Sequence, residues 1–289
     1  MGCIVDGQDK SRVMIVPMGE MQTIEAYWSR AGIGGAILDS LSALGKDLHA
    51  LTVDDLAPLD QFHSGGKPAT VRLARLAALR PETRVLDVGG GFGGPARTLA
   101  AEFGCRVTSI DLTETYVRAA EMLTERLGLG NRVTHRVGNA LALPFDDAAF
   151  DAVWTQNSGM NIEDKRGLYA GFHRVLRSGG RLVIQEPMAG PVEPPIYPLM
   201  WARDPGASFL RRPAEMLGLI EDAGFTARAW DDVTAETAGS GGPVPAHSIQ
   251  RIVMGDALED IVRAGNRNRE EHRIVMVQAV FDRLEASRC

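Results

Sequence analysis

The hydrophobic pattern of this chain alternates between short apolar runs and longer amphipathic segments from about residue 68 to residue 233. Short runs rich in Val, Ile and aromatic side chains are typical of buried strands, whereas apolar residues three or four positions apart are typical of helices. A regular alternation of the two indicates a parallel sheet with helices on both faces. We therefore predict an α/β fold with a doubly wound, mostly parallel seven-stranded sheet.

The elements of this prediction can be located along the chain. The predicted strands are VLDV (85–88), VTSID (107–111), RVTHRV (132–137), AVWTQ (152–156), RLVIQEP (181–187), FTARAWDDV (225–233) and IVMVQAVF (274–281). The helices predicted around them are 68–79, 95–103, 113–128, 163–177 and 214–224.

Other segments fall outside this alternation. Residues 1–67 are predicted to form a tail and a helical cap, with two amphipathic helices within 20–49. Residues 68–289 are predicted to form the core. Two insertions rich in proline or glycine, at about 187–212 and 234–268, are predicted to form a lid at the edge where the strands end.

The first strand runs into a glycine loop. The stretch VLDVGGGFGG occupies 85–94, and Pro95 opens the helix that follows. Glycine lets the backbone approach a ligand closely and adopt positive φ. The second strand ends on Asp111, twenty residues after Gly91. At the carboxyl ends of parallel strands this layout builds a nucleoside pocket, in which the acid accepts hydrogen bonds from ribose hydroxyls.

This loop satisfies two cofactor patterns. Gly89, Gly91 and Gly94 fit G-x-G-x-x-G, the dinucleotide fingerprint. Read from Asp87, the loop fits D-x-G-x-G-x-G, which resembles the first motif of class I S-adenosylmethionine methyltransferases. A carboxylate ahead of the first glycine can contact a cationic amino-acid portion but would repel a pyrophosphate. Asp87 therefore favours S-adenosylmethionine.

Further segments resemble the same family. GNA at 138–140, followed by LPF at 143–145, resembles its third motif, FDAVWTQ resembles its fourth, and VLRSGGRLVI resembles the turn and strand that follow. Asn139 stands where the family usually has Asp, and an amide oxygen can still accept from the adenine amino group. The resemblance implies a Rossmann-like fold, metal-independent methyl transfer and S-adenosylmethionine as the cofactor.

The resemblance also suggests which residues bind the cofactor. The candidates are Asp87, Gly89, Gly91, Asp111, Leu112, Asn139, Ala140 and Gln156. Three of them have an alternative structural role. Asp111 can be a residue at the start of a helix, Asn139 a turn residue, and Gln156 a strand-end amide satisfied by the protein.

A narrower resemblance covers most of the chain. DQFHSGGKPAT, WTQNSGMNIEDK and WARDPGASFL resemble the sarcosine/dimethylglycine methyltransferase-like group. This implies a small-molecule acceptor, and the nitrogen of a small amine is the first expectation. The alternative is oxygen or carbon of a specialised hydrophobic metabolite. A prenyl diphosphate acceptor would recruit Arg203, Arg211 and Arg212.

His63 and Glu186 are the candidate catalytic residues. His63 can orient an acceptor or take its proton, and its alternative is a loop histidine that caps a helix or closes over the cofactor. Glu186 can hold an amine or remove a proton after carbon methylation, and its alternative is a structural ion pair. The candidate acceptor-binding residues are Gln61, Asn157, Met160, Asn161, Trp201 and Arg203. Trp201 can face an ammonium group or belong to the core of the lid.

Composition and charge disfavour several kinds of partner for this protein. The net charge is −6 with Lys and Arg dispersed, which disfavours nucleic acid as a partner, and the mixed-sign segment RNREEHR at 267–273 is interpreted as a solvated surface. No apolar run is long enough for a membrane span, and the three cysteines follow no metal spacing. We expect a cytoplasmic enzyme that contacts neither a metal nor a membrane, a description compatible with a homo-oligomer.

Two other enzyme classes lack their expected motifs. A nicotinamide-dependent oxidoreductase predicts Tyr-x-x-x-Lys, and none of the four tyrosines has a lysine at that spacing. A methyltransferase acting on amino groups of nucleic-acid bases predicts Asn/Asp-Pro-Pro-aromatic after the fourth strand, where this chain has QNSG at 156–159. The small-molecule methyltransferase remains the favoured hypothesis.

Overall fold

The computed structural model describes residues 27–238 and 244–284. Its strands are β1 (Arg84–Val88), β2 (Arg106–Asp111), β3 (Val133–Val137), β4 (Phe150–Gln156), β5 (Leu176–Ala189), β6 (Phe225–Asp232) and β7 (Ile274–Arg283). They form one sheet in the order β3-β2-β1-β4-β5-β7-β6. The pairings from β3 to β5 are parallel, and β7 runs antiparallel to both β5 and β6. The predicted α/β, mostly parallel seven-stranded sheet is confirmed.

Helices precede and connect these strands. In the described part of the chain they are α1 (Ile33–Ala43), α2 (Val53–Asp60), α3 (Gly66–Leu76), α4 (Gly94–Phe103), α5 (Glu114–Arg126), α6 (Lys165–Val175), α7 (Pro213–Asp222), α8 (Ile249–Met254) and α9 (Leu258–Glu270). Short 3₁₀ turns lie at Gly159–Asn161, Pro205–Ala207 and Gly255–Ala257.

Two hydrophobic cores cover the two faces of the sheet. On β1, Leu86 and Val88 pack in the core that contains Tyr169 of α6, whereas Val85 packs in the core that contains Leu99 of α4. Successive residues of a strand point to opposite faces of the sheet. Because helices cover both faces, the sequence of such a strand is a continuous apolar run. The doubly wound arrangement follows from this pattern.

A third apolar cluster attaches the N-terminal cap to the core. It joins residues of α1, α2, α5, α8 and α9. Beside it, Arg97 of α4 and Asp60 of α2 form an ion pair at 2.8 Å in which both side chains are fully buried. Arg97 also donates to the carbonyl oxygen of Phe92, in the glycine loop, at 2.5 Å. The cap is therefore connected to the loop through one buried guanidinium group.

The sequence prediction omitted three helices. One is α2, which begins with a capping box: the Thr52 hydroxyl accepts from the Asp55 amide, and the Asp55 carboxylate accepts from the Thr52 amide. The others are α8 and α9, which lie in the second insertion. At the start of α8 the Ser248 hydroxyl accepts from the Arg251 amide at 3.3 Å. These capping residues are the local signals from which α2 and α8 could have been predicted.

Some predictions concern residues that the structure does not describe. The aperiodic segment 1–19 and most of the predicted helix at 20–30 lie outside the described ranges, as do Cys3 and Cys289. Cys105 is buried with a free thiol. The predicted helix within 34–49 corresponds to α1, which ends earlier, at Ala43.

Candidate active site

A cavity of about 1640 Å³ opens where the parallel strands end. Its walls include the glycine loop after β1, residues 111–113 at the end of β2, residues 138–141 after β3, and residues 156–158 and 160–164 at the end of β4. Residues of the cap and of both insertions complete the walls. Ligands of open α/β sheets bind at this edge, because the carboxyl ends of the strands and their loops converge there.

Asp111 and the glycine loop hold each other in place. The Asp111 Oδ2 atom accepts a hydrogen bond from the Gly91 amide at 2.9 Å, and Oδ1 accepts from the Thr113 amide at 2.8 Å. Gly91 has a φ of 52°, and apart from its two chain neighbours no described residue has an atom within 4 Å of the position that a Cβ would occupy. The loop backbone is thus open to the cavity at this point. Burial raises the pKa of Asp111.

Asp87, on β1, is buried and also lines the cavity. Ser109 donates to its carboxyl group at 3.3 Å. Burial raises the pKa of Asp87 to about 7; the Ser109 hydrogen bond opposes this shift, and the nearby Asp111 carboxylate adds to it. The Asp87 carboxyl group therefore changes its charge near neutral pH.

Leu112, Asn139 and Ala140 complete the predicted cofactor side. The Asn139 side-chain oxygen accepts from the Leu141 amide at 2.9 Å, which shapes the turn after β3. All three residues line the cavity, as do Gly89 and the other members of the cofactor prediction. The fold thus brings the eight candidates to one cavity, while their contact with a cofactor stays a prediction.

Gln156, at the end of β4, belongs to a ladder of buried glutamines. Its Oε1 atom accepts from the Thr70 hydroxyl at 3.1 Å, and its Nε2 atom donates to Gln185 Oε1 at 3.3 Å. Gln278 of β7 donates to the same Gln185 oxygen at 2.7 Å. Gln185 in turn donates to the carbonyl oxygen of Ser64 at 2.8 Å. Three adjacent strands therefore position the loop that follows α2.

His63 lies in this loop, and both of its ring nitrogens contact protein atoms. Nε2 lies 2.9 Å from Gln61 Oε1 and 3.1 Å from the Thr70 hydroxyl oxygen, and Nδ1 lies 3.2 Å from the Ser64 carbonyl oxygen. Burial lowers the pKa of His63 to about 4, so the ring is neutral at pH 7. Gln61 and His63 both line the cavity. These contacts indicate that the His63 ring stabilises the conformation of its loop.

Glu186 is not among the residues that line the cavity. Its Oε1 atom accepts from the Gly159 amide at 2.9 Å and from the Ser158 amide at 3.3 Å, and Oε2 is buried without a hydrogen-bond partner in the described structure. Lys165 is buried nearby and donates to the Gly159 carbonyl oxygen at 2.6 Å. Burial raises the pKa of Glu186, although the backbone amides and Lys165 oppose the shift. Glu186 forms no ion pair with the described residues, so the expected structural ion pair is not present. Its hydrogen bonds with two backbone amides favour a structural role over a catalytic one.

Part of the cavity wall is formed by apolar side chains, and we call the space beside them the distal chamber. Its side chains come from the cap, the segment after β4 and both insertions: Trp28, Phe62, Met160, Trp201, Leu258 and Ile261. The indole nitrogen of Trp201 donates to the Ser208 hydroxyl at 3.1 Å. Asn161 donates to the backbone oxygens of Trp201 at 3.0 Å and Ala207 at 2.7 Å, which fixes the first insertion. Asn157 also lines the cavity.

Two predictions about cationic residues need correction. Arg203 does not line the cavity; its guanidinium group lies over the Tyr27 ring, 5.9 Å from the ring centre. Arg211 and Arg212 line a separate cavity of about 320 Å³, where Arg212 pairs with Glu193 at 2.9 Å. These three arginines therefore do not form the diphosphate site that the prenyl diphosphate hypothesis required.

The interpretation of RNREEHR as a solvated surface was wrong for two of its residues. Asn268 is buried, and it bonds both the amide and the carbonyl oxygen of Ile196 at 2.7 Å. Arg269 is half-buried and lines the cavity. The error arose because α9 is amphipathic. Exposed charged residues such as Arg267 are adjacent in sequence to the residues that face the protein interior.

The described residues contain no group of three or more His, Cys, Asp or Glu side chains that could hold a metal ion. None of the helices in 27–238 and 244–284 is long and apolar enough to cross a membrane.

A mostly parallel sheet with an antiparallel β7, a glycine loop after β1 and an acid at the end of β2 define a Rossmann-like, nucleoside-binding class of protein. Residues 86–184 match the model of a methyltransferase domain. Together with the relatives described next, this match supports a class I S-adenosylmethionine-dependent methyltransferase.

The proteins that this chain resembles are named for different methyl acceptors. It is 33% identical over 145 residues to the glycine/sarcosine/dimethylglycine N-methyltransferase of Actinopolyspora halophila, covering 50% of this chain and 25% of that protein. It is 32% identical over 150 residues to the chloroplastic tocopherol O-methyltransferase of Arabidopsis thaliana, covering 48% and 43%. The solved geranyl diphosphate C-methyltransferase of Streptomyces coelicolor A3(2) has a TM-score of 0.68 at 21% identity, over 93% of this chain and 98% of that chain.

These matches support a methyltransferase domain at residues 86–184 and the fold around it. The chain spans between a quarter and half of the length of the curated relatives that it matches first. The structural likeness, at 21% identity, supports the fold. The names of the three relatives include transfer to nitrogen, oxygen and carbon, so the acceptor atom must be argued from the site.

Proposed function

We propose that this chain transfers the methyl group of S-adenosylmethionine to an oxygen or carbon atom of a largely apolar small molecule. The observation that carries this proposal is the distal chamber, whose apolar walls adjoin the glycine loop in one continuous cavity. S-Adenosylmethionine supplies an electrophilic methyl group on a cationic sulfur. The protein has to bind this group, align an acceptor with it and exclude water.

The residues beside the glycine loop fit such a cofactor. Asp111 presents a carboxylate for ribose hydroxyls, and its orientation is set by two backbone amides. The open face of Gly91 lets a ligand approach the backbone. Asp87 offers a carboxyl group that can be negative near neutral pH, which suits a cationic ligand. Leu112, Asn139, Ala140, Gly89 and Gln156 are proposed to complete this half of the site.

The size and polarity of the remaining space support a large apolar acceptor. A volume of about 1640 Å³ exceeds the roughly 300–1,000 Å³ of ordinary small-molecule sites, so there is room for a second molecule beside a nucleoside. A small zwitterionic amine such as sarcosine would leave most of the distal chamber unfilled.

We assign His63 a positioning role. The neutral ring contacts Gln61 and Thr70, and Thr70 also contacts Gln156. This arrangement links the loop after α2 to the strand end where the methionine portion of the cofactor is proposed to lie. Trp201, Met160, Asn157 and Asn161 are proposed to bound the acceptor, either directly or by holding the first insertion.

We also propose the division into a cap at residues 1–67 and a core at 68–289 with lid insertions. Its support is that side chains of the cap and of both insertions line the same cavity as the strand ends. Closure of these parts over the cavity would separate the reacting groups from water. The buried Arg97–Asp60 pair gives the cap a fixed connection to the glycine loop.

The proposal is tested by measuring formation of S-adenosylhomocysteine with a panel of acceptors. The panel contains apolar phenols, apolar carboxylic acids and prenyl alcohols on one side, and sarcosine and dimethylglycine on the other. We expect turnover on the apolar side alone. Turnover with sarcosine or dimethylglycine alone would refute the acceptor class. Failure of the purified chain to bind S-adenosylhomocysteine by calorimetry would refute the cofactor and hence the whole function.

A further inference from the structure

Arg269 is the one lysine or arginine, among the described residues, that lines the main cavity. It lies on α9, which also contributes Leu258, Ile261 and Val262 to the lining. Positions 258, 261, 262, 265 and 269 recur at helical spacing, so they share one face of α9. A single cationic side chain therefore borders an apolar wall.

This arginine differs from its neighbours in its partners. Arg263 pairs with Asp260 at 3.2 Å, and Arg267 and Arg273 both pair with Glu271. No carboxylate of the described residues forms an ion pair with Arg269. Its hydrogen bond goes to a neutral group, the side-chain oxygen of Asn266, at 3.1 Å.

The acids that line the cavity are engaged elsewhere or exposed. Asp87 and Asp111 are bonded at the glycine loop, Asp60 pairs with Arg97, and Asp164 accepts from the Gly167 amide at 2.8 Å. The two remaining acids, Glu163 and Glu236, are exposed and form no ion pair with Arg269. Within 27–238 and 244–284, no carboxylate therefore pairs with the charge of Arg269.

The backbone that carries Arg269 is held firmly. The neighbouring Asn268 is buried and bonds the amide and the carbonyl oxygen of Ile196, which joins α9 to the first insertion. A guanidinium group on a fixed helix loses less freedom when it binds an anion, and its planar donors match a carboxylate. A diphosphate would require more than one cation.

We propose that Arg269, assisted by Asn266, recognises a single carboxylate on the acceptor at a distance from the methylated atom. This inference rests on the proposed function and narrows its substrate class to apolar molecules with one anionic group. It makes Arg269 a specificity residue. The apolar body of the acceptor would lie against α9 and the Trp201 side of the distal chamber.

The test measures binding of matched probe pairs by calorimetry in the presence of saturating S-adenosylhomocysteine. The pairs are dodecanoate with 1-dodecanol, and 1-naphthaleneacetate with 1-naphthaleneethanol. We expect the wild type to bind at least one acid about tenfold more tightly than its alcohol. Arg269→Gln should weaken that acid by about tenfold and leave the alcohol unchanged, since a charged hydrogen bond is worth at least that much.

Arg263→Gln is the matched control, because Arg263 lies on the same helix, is exposed and does not line the cavity. It should retain the wild-type preference for the acid. Equal affinity for acid and alcohol in both pairs, absence of acid binding, or an Arg269→Gln variant with unchanged acid affinity would each overturn the inference. If S-adenosylhomocysteine binds while the acids are not preferred, the inference fails and the proposed methyltransferase function stands.

Discussion

The amide of Gly91 donates a hydrogen bond to the carboxylate of Asp111 across 2.9 Å, joining two residues that are twenty positions apart. The other oxygen of the same carboxylate accepts from the Thr113 amide at 2.8 Å. Each carboxylate oxygen can accept more than one hydrogen bond, so both remain able to accept from a ligand. The glycine loop and the acid are therefore organised before a cofactor binds.

Asp111→Ala should weaken binding of S-adenosylhomocysteine by more than about tenfold, because a charged acceptor is lost and the loop loses its anchor at Gly91. Calorimetric titration measures this directly. Asp146→Ala is the control, since Asp146 is exposed and does not line the cavity. Equal affinity of the two variants would remove Asp111 from the cofactor site.

Asp87→Asn should change how stability depends on pH. The Asp87 carboxyl holds its proton more tightly when folded, with a pKa of about 7, than when unfolded, with a pKa of 3.8. It therefore stabilises the fold below about pH 4, and this contribution is lost as the pH rises to 7 and beyond. The unfolding free energy of the variant minus that of the wild type should rise across this range, by up to about 1.4 kcal/mol per pH unit.

Urea unfolding between pH 4 and 7.5 gives this difference. Asp111, Asp60 and Glu186 also have raised pKa values, so the wild type alone cannot isolate one group. The matched variant can, because asparagine keeps the shape of the side chain and an oxygen for Ser109. A difference that stays flat with pH would contradict the raised pKa of Asp87.

Local sequence patterns predicted the secondary structure well where the residues of a single element were sufficient to determine it. The apolar run at Val85 and the glycines after it fixed β1 and its loop, and Asp111 marked the end of β2. The antiparallel direction of β7 depends on pairing with β5 and β6, which a run such as 274–281 does not encode by itself. Helix α9 was missed because its many charged residues mask a narrow inward face.

Arg97→Met should lower the free energy of unfolding by about 3–5 kcal/mol, because it leaves the Asp60 carboxylate buried without its partner. The double variant Arg97→Met with Asp60→Leu should recover much of this loss, since both charges are then absent. Arg106→Met is the control; its pair with Glu82 is exposed and should contribute little. Urea denaturation measures all three, and a double variant as unstable as Arg97→Met would argue against a charge effect.

The cofactor side of the site was easier to predict than the acceptor side. Asp87, Gly91 and Asp111 lie in contiguous motifs at strand ends, and the fold requires strand ends to converge. The acceptor side depends on packing between distant segments: Arg203 turns toward Tyr27, and Arg269 reaches the cavity from a helix 66 positions further on. Residue type alone did not distinguish these two arginines.

His63→Ala should leave the affinity for S-adenosylhomocysteine nearly unchanged and lower turnover, because Gln61 and Thr70 lose the imidazole ring that both of them contact. His63→Asn should restore part of the turnover, since an amide can replace one of these hydrogen bonds. The pH dependence of turnover distinguishes a positioning role of His63 from a role as general base. A general base would add an inflection near its pKa and cost about 100-fold or more when removed, with no rescue by asparagine.

Glu186→Gln should keep turnover within a few-fold of the wild type, because Glu186 is absent from the cavity lining and its Oε1 atom serves the amides of Ser158 and Gly159. The glutamine side chain retains that oxygen and removes a buried charge, so the free energy of unfolding of this variant should equal or exceed that of the wild type. Glu186→Ala should instead lower the free energy of unfolding by about 1–3 kcal/mol, since two buried donors lose their acceptor. Thermal unfolding and initial rates measure both variants. A Glu186→Gln protein that folds normally but has lost about 100-fold in turnover would restore the catalytic role that the sequence suggested.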